Sequence, residues 1–224
     1  MRMMVMFTKP YPLRHIGHLD LMRTMQRALR RSGLPVRYSQ GFNPHIKLSF
    51  ASPLSVGIAG DREIMDVPLD HEVEEEEFVR KLNGAMPGGM QVAGVRRIDD
   101  KFPTLMGLAA GSRYRIEPDT GAPQFQGAVA QLLSCKEYVA LRKTKSGEKM
   151  CDILPYIDTL VVSDSALLFT AKNLQSGSLK PSVVMNALFA LGKITPCFYA
   201  VTRETILATD THNNLVPLEG IAYE

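Results

Sequence analysis

The stretch "HIGHLDLMRTMQRALRRSGLP", residues 15–35, carries two patterns at once. Leu21, Met22, Met25, Ala28 and Leu29 recur at helical spacing, which predicts an amphipathic helix over about 17–32. Gly33 and Pro35 end it. Arg23, Arg27, Arg30 and Arg31 fall at i, i+4, i+7 and i+8, so four guanidiniums run along the side opposite the apolar stripe. Like charges at i,i+4 mildly destabilise a helix, and Asp20 offsets only one of them, three residues before Arg23. Two sources of counter-charge are open. One is the acid-rich segment "EVEEEE" at 72–77; the other is an external anion, since the Arg fork matches phosphate oxygens bidentately.

Moving outward, residues 2–9 read as a strand, and "HIKLSFAS" at 45–52 alternates Ile46, Leu48 and Phe50 against Lys47 and Ser49. "REIMDVPL" at 62–69 is a further strand. "DHEVEEEEFVRKLNGAMPGG" at 70–89 reads as a helix whose acids crowd its start while Arg80 and Lys81 sit late, as the helix dipole favours. Its inward stripe is Phe78, Val79, Leu82, Ala85 and Met86. "MQVAGVRRI" at 90–98 closes the order β-α-β-β-α-β. Residues 99–112 show no period and read as a linker.

The order then repeats. "RYRIEP" is a strand, and "APQFQGAVAQLLSC" is a helix with Phe125, Ala128, Val129, Leu132 and Leu133 inside. "EYVALRKT", "IDTLVVSD" and "ALLFTAKN" are strands, and Pro181 opens a helix carrying Val184, Ala187, Leu188 and Leu191. "CFYAVTRETIL" closes the second set. The expected fold is α+β, two tandem ferredoxin-like units at 1–98 and 112–208, with a polar and loose tail at 209–224.

At 45% hydrophobic and 22% charged, the 224 residues suffice to bury a core. No apolar run reaches the roughly 18 residues a membrane helix needs, and the opening "MRMMVMFTKP" reads as a strand instead of a signal peptide. A cytoplasmic location is expected. Cys135, Cys151 and Cys197 are far apart, so neither a zinc ribbon nor an iron–sulfur triplet is expected, and no cofactor is. Residues 1–60 hold nine Lys or Arg and one acid, a net of +8 within a total of +3, so the remainder carries −5. Such segregation makes one face attractive to polyanions.

After the basic helix comes "YSQGFNPHIK", residues 38–47. Gly41 permits a conformation closed to other residues, and Pro44 forces Asn43 to extend. Tyr38 and Phe42 suit base stacking, Lys47 a phosphate, and His45 a hydrogen bond or a proton transfer. The alternative is a plain turn in which Phe42 plugs the core and His45 caps a carbonyl. Arg14, Arg23, Arg27, Arg30, Arg31, Tyr38, Gly41, Phe42, Asn43, His45 and Lys47 are the candidate RNA-binding residues. His15, His18 and His45 are the candidate acid–base groups for RNA cleavage, with no partner carboxylate at a diagnostic spacing. The spacing of His15, His18 and Asp20 matches no helical metal pattern, so no metal site is expected.

The run from Gly17 to Ile58 resembles the radical-SAM-linked protein family, also called DUF2344. The resemblance rests on His18-Leu19-Asp20, the Arg23 to Arg31 helix, Tyr38-Ser39-Gln40-Gly41-Phe42-Asn43-Pro44-His45, and Ser49 to Leu54. It is dense over 14–58 and traceable to about 205. "CDILPYI" at 151–157 resembles the family's Asp-x-Arg-Pro segment, with Leu154 in place of the basic residue. The resemblance implies a separate radical SAM enzyme as partner. This chain lacks the three-cysteine motif of that enzyme, so an accessory, non-catalytic role is expected. Three functions follow as expectations: an RNA-binding or substrate-presenting subunit, a protein-docking module, or a metal-independent ribonuclease.

Overall fold

The computed structural model describes residues 1–144 and 147–222, so Tyr223 and Glu224 of the expected tail lie outside the described residues. In chain order the elements begin β1 (Arg2–Lys9), α1 (His18–Ser32), β2 (Ser49–Phe50), β3 (Ala59–Pro68), α2 (Glu75–Asn83), β4 (Val92–Ile98) and α3 (Leu105–Leu108). They continue with β5 (Gly111–Pro118), α4 (Gln126–Ser134), β6 (Val139–Thr144), β7 (Gly147–Asp152), β8 (Ile157–Val162) and β9 (Leu167–Leu174). The last are β10 (Gly177–Ser178), α5 (Pro181–Gly192), β11 (Tyr199–Thr209) and β12 (Leu215–Pro217). The chain is a mixed α+β protein of two compact units, Met1–Ala109 with Arg203–Glu224, and Ala110–Thr202.

In the first unit the strand order is β11-β3-β1-β4, with β2 also on β3 and β12 on β11. β1 is antiparallel to both neighbours, with Val5 opposite Met65 on one side and Val95 on the other. Its sequence "RMMVMFTK" is apolar on both faces because both are covered. Met3, Val5 and Phe7 pack with Leu21, Met25 and Leu29 of α1 and with Phe78 and Leu82 of α2. Met4 and Met6 turn the other way, onto Ile64, Phe102, Leu105, Ile206 and Leu218. Alternation along a strand makes this division obligatory.

That second cluster changes the reading of two segments. Residues 99–112 are more than a linker: Phe102 and Leu105 are buried, and the Thr104 side chain caps α3 through the Gly107 amide. The segment after 209 is not loose, since β12 pairs with β11 and Leu218 is fully buried. Residues 203–222 therefore belong with the first unit, whereas the expected division assigned 203–208 to the second.

Charge is also buried here. The Arg203 Nε donates to Glu63 Oε1 at 2.8 Å and Nη2 to Oε2 at 2.5 Å. Its remaining hydrogens reach Ser52 Oγ, Ser52 O and Pro53 O at 3.1, 3.1 and 3.3 Å. Lys9 ends β1 with Nζ donating to the carbonyls of Arg14, Ile16 and Ile58. These bonds fix the turn that launches α1 and the bend that stops β2 after two residues. The expected strand 45–52 is therefore mostly an extended segment, joined to the chain before it by a single bridge between Tyr38 and Ile46.

In the second unit the order is β10-β9-β5-β11, with β8 on the same strand β9. β6 and β7 form a separate hairpin; β7 has no expected counterpart, because "GEKMCD" is polar and lacks strand periodicity. Pro181 occupies the first turn of α5, where its missing N–H costs nothing. Leu133, expected inside, is half exposed on α4, while Val129 and Leu132 are buried. Among the described residues no helix is long and apolar enough to cross a membrane.

Candidate functional site

The basic helix buries Leu21, Met25, Ala28 and Leu29 and ends at Gly33, whose φ of 66° is the left-handed cap that a glycine takes without strain. Arg23, Arg27, Arg30 and Arg31 are all exposed. Arg23 pairs with Asp20 at 3.2 Å, both side chains about two-thirds in water, a contact worth about 0.5 kcal/mol or less. Arg31 reaches the turn that follows α2 and donates to the Ala85 carbonyl at 2.5 Å. Among the described residues Arg27 and Arg30 have neither an ion-pair nor a hydrogen-bond partner.

The acid-rich segment is engaged elsewhere. Glu77 binds Lys81 at 2.8 Å, one turn along α2, and that hydrogen bond holds its carboxyl below the usual carboxylate range. Glu72 and Glu74 lie 3.7 and 3.5 Å from Arg97, and Glu75 accepts from the Arg97 amide at 2.8 Å. Among the described residues the acid-rich segment therefore forms no ion pair with the α1 arginines.

Residues 38–46 form a closed hairpin next to this face. The Ser39 amide donates to the His45 carbonyl at 2.8 Å, and the His45 amide to Ser39 Oγ at 3.1 Å. Ser39 Oγ also bonds His45 Nδ1 at 2.9 Å, so one serine clamps both the backbone and the ring. His45 thus binds a serine hydroxyl, not the carbonyl of the plain-turn reading. Gly41 has φ 125°, and a Cβ there would meet nothing within 4 Å, so its need for glycine is conformational. Phe42 is 107% exposed at the tip, and so does not plug the core. Asn43, His45 and Lys47 are exposed, and Tyr38 is partly so.

The Gln26 amide donates to the Ile46 carbonyl at 3.2 Å, which ties the hairpin base to α1. At 100° per residue, Arg30 and Arg23 lie about 40° and 60° around the helix from Gln26. The hairpin therefore borders the guanidinium face, while Arg31 closes its far side. Between α1 and the hairpin base is an open cleft of about 430 Å³ lined by Met22, Gln26, His45, Lys47, Ser49 and Asp66. Asp66 is already held by Arg2, whose Nε lies 3.1 Å from both carboxylate oxygens.

Not every candidate joins this surface. Arg14 stacks on Tyr11 at 3.8 Å and donates to its carbonyl, within the turn before α1. His15 is exposed, and His18 is half-buried with its ring edge-on to Phe50 at 5.4 Å. Among the described residues no hydrogen bond joins His15, His18 or His45 to a second histidine or a carboxylate, and no group of His, Cys, Asp and Glu is arranged to hold a metal. In the second unit Asp152 accepts from the amides of Tyr138 and Leu154, a structural task for the "CDILPYI" segment. Sequence reasoning missed the Lys9, Glu63 and Arg203 set that steadies the site. Its one signal was charge at strand positions, with Lys9 at the end of β1, Glu63 within β3 and Arg203 within β11.

A family model described as "Uncharacterized protein conserved in bacteria (DUF2344)" matches residues 2–181. No curated protein matches the chain.

Proposed function

The chain belongs to the DUF2344 family, and we propose that it is a non-catalytic RNA-binding subunit that presents its substrate to a separate radical SAM enzyme. The observation that carries this reading is the unmatched pair Arg27 and Arg30 beside a hairpin that holds an aromatic ring in water. Exposed cations without internal partners gain by releasing counterions from a phosphate backbone. Each unit is read as ferredoxin-like, supported by the strand orders β4-β1-β3-β2 and β11-β5-β9-β8. The test is binding of the chain to cellular RNA at low salt, with Arg27→Ala and Arg30→Ala as the variants. RNA that is retained by the natural chain and shed by the variants supports the reading. An absence of RNA binding at low salt refutes it.

A second reading, a docking module for the enzyme partner, draws on exposed apolar groups of the first unit: Leu19 at 68%, Val56 at 60% and Phe42. A pull-down with the partner that survives loss of the arginines but fails on Phe42→Ala or Tyr38→Ala favours it. The ribonuclease reading gains no comparable support from the surroundings of His15, His18 and His45.

A further inference from the structure

We infer that the RNA is taken as an unpaired strand, with one base stacked on Phe42 and a neighbouring base seated in the cleft beside Gln26; this rests on the RNA-binding reading. A duplex engages arginines through its phosphates but keeps its base faces inside the stack, so it offers nothing to an exposed phenyl ring. The ring here is presented by a rigid device. Ser39 and His45 close the hairpin with three hydrogen bonds, and Gly41 supplies the turn, so little ordering is left to be done on binding.

The cleft is of a size for such a guest, since sites for small organic groups run from about 300 to 1,000 Å³. Met22 and Leu48 give it apolar lining, suited to the face of a base. Gln26 donates its amide N–H to Ile46, which leaves its amide oxygen to accept from a base edge. Lys47 supplies a cation at the rim for a phosphate between the two bases. Arg30 and Arg23 then follow the strand onward along α1. Stacking of this kind tolerates every base, so the strand is recognised by its lack of pairing and not by its sequence.

The experiment compares the full chain on an unstructured RNA of about 12 nucleotides and on a duplex of the same length, at low salt, by fluorescence anisotropy. A 2-aminopurine base in the single strand reports stacking separately. The unpaired strand is expected to bind at least about tenfold more tightly than the duplex, with 2-aminopurine emission quenched. Phe42→Ala should lose about tenfold on the single strand and nothing on the duplex; Phe42→Trp should restore binding and Phe42→Leu should not. Equal affinity for the two RNAs, or indifference to Phe42→Ala, overturns the inference while leaving the arginine-borne RNA reading intact. Binding to neither RNA removes both.

Discussion

Phe42 and Lys9 are opposite cases of a residue whose surroundings dictate its role. Phe42 touches no packed neighbour, so Phe42→Ala should leave unfolding stability within about 0.5 kcal/mol of the natural chain in a urea titration. A larger loss would mean that the ring packs somewhere in solution. Lys9 is buried completely, and its pKa is held below the ordinary lysine value chiefly by that burial. Glu63 opposes the shift and Arg203 adds to it. Between the folded value and about 10.4 the unfolded chain binds more protons than the folded one, so this contribution to stability rises with pH. The natural chain should gain stability relative to Lys9→Met as pH climbs towards about 10.4, and a flat difference would contradict the assignment. Phe42 was visible in the sequence as an aromatic after a glycine, but its exposure was not. Packing against the core and projection into water follow from the same local pattern.

At the scale of elements, periodicity carried the reading where one face is buried and failed where it is not. The stripe of α1 was legible because Leu21, Met25, Ala28 and Leu29 all meet β1, and β1 itself matched because its apolar run is covered twice. α2 begins only at Glu75, with Glu74 as its N-cap, since acids favour a first turn without defining where it starts. β2 is short for a reason that no window of sequence contains: Arg203, some 150 residues away, draws the Ser52 and Pro53 carbonyls out of the ladder. Glu63→Gln should therefore destabilise the first unit by about 3 kcal/mol in chemical denaturation, because it removes the carboxylate charge that faces the buried Arg203 guanidinium. A loss under about 1 kcal/mol would show that the pair is solvated. Ser39→Ala should lower the affinity for unpaired RNA with little loss of fold stability, since it unclamps only the exposed hairpin. That separation is read from anisotropy beside thermal unfolding.

For the molecule as a whole, the charge segregation of the sequence corresponds to an exposed basic face on α1. Of the nine cations in residues 1–60, Arg23, Arg27, Arg30 and Arg31 stay exposed on α1 while Arg97 and Lys81 engage the nearby glutamates; Arg2 and Lys9 are buried and Arg37 pairs with Asp70. The covering of the first unit by the end of the chain was not legible, as "LVPLEGI" is a weak strand signal and its partner β11 precedes it by a turn. The most direct measurement is the salt dependence of binding between the full chain and an unstructured RNA, for the natural sequence and for Arg27→Ala with Arg30→Ala. Each phosphate contact on a single strand contributes about 0.7 to the slope of log affinity against log salt. The account predicts tight binding at low salt and a slope reduced by about 1.4 in the double variant. No binding at low salt, or an unchanged slope, would contradict it.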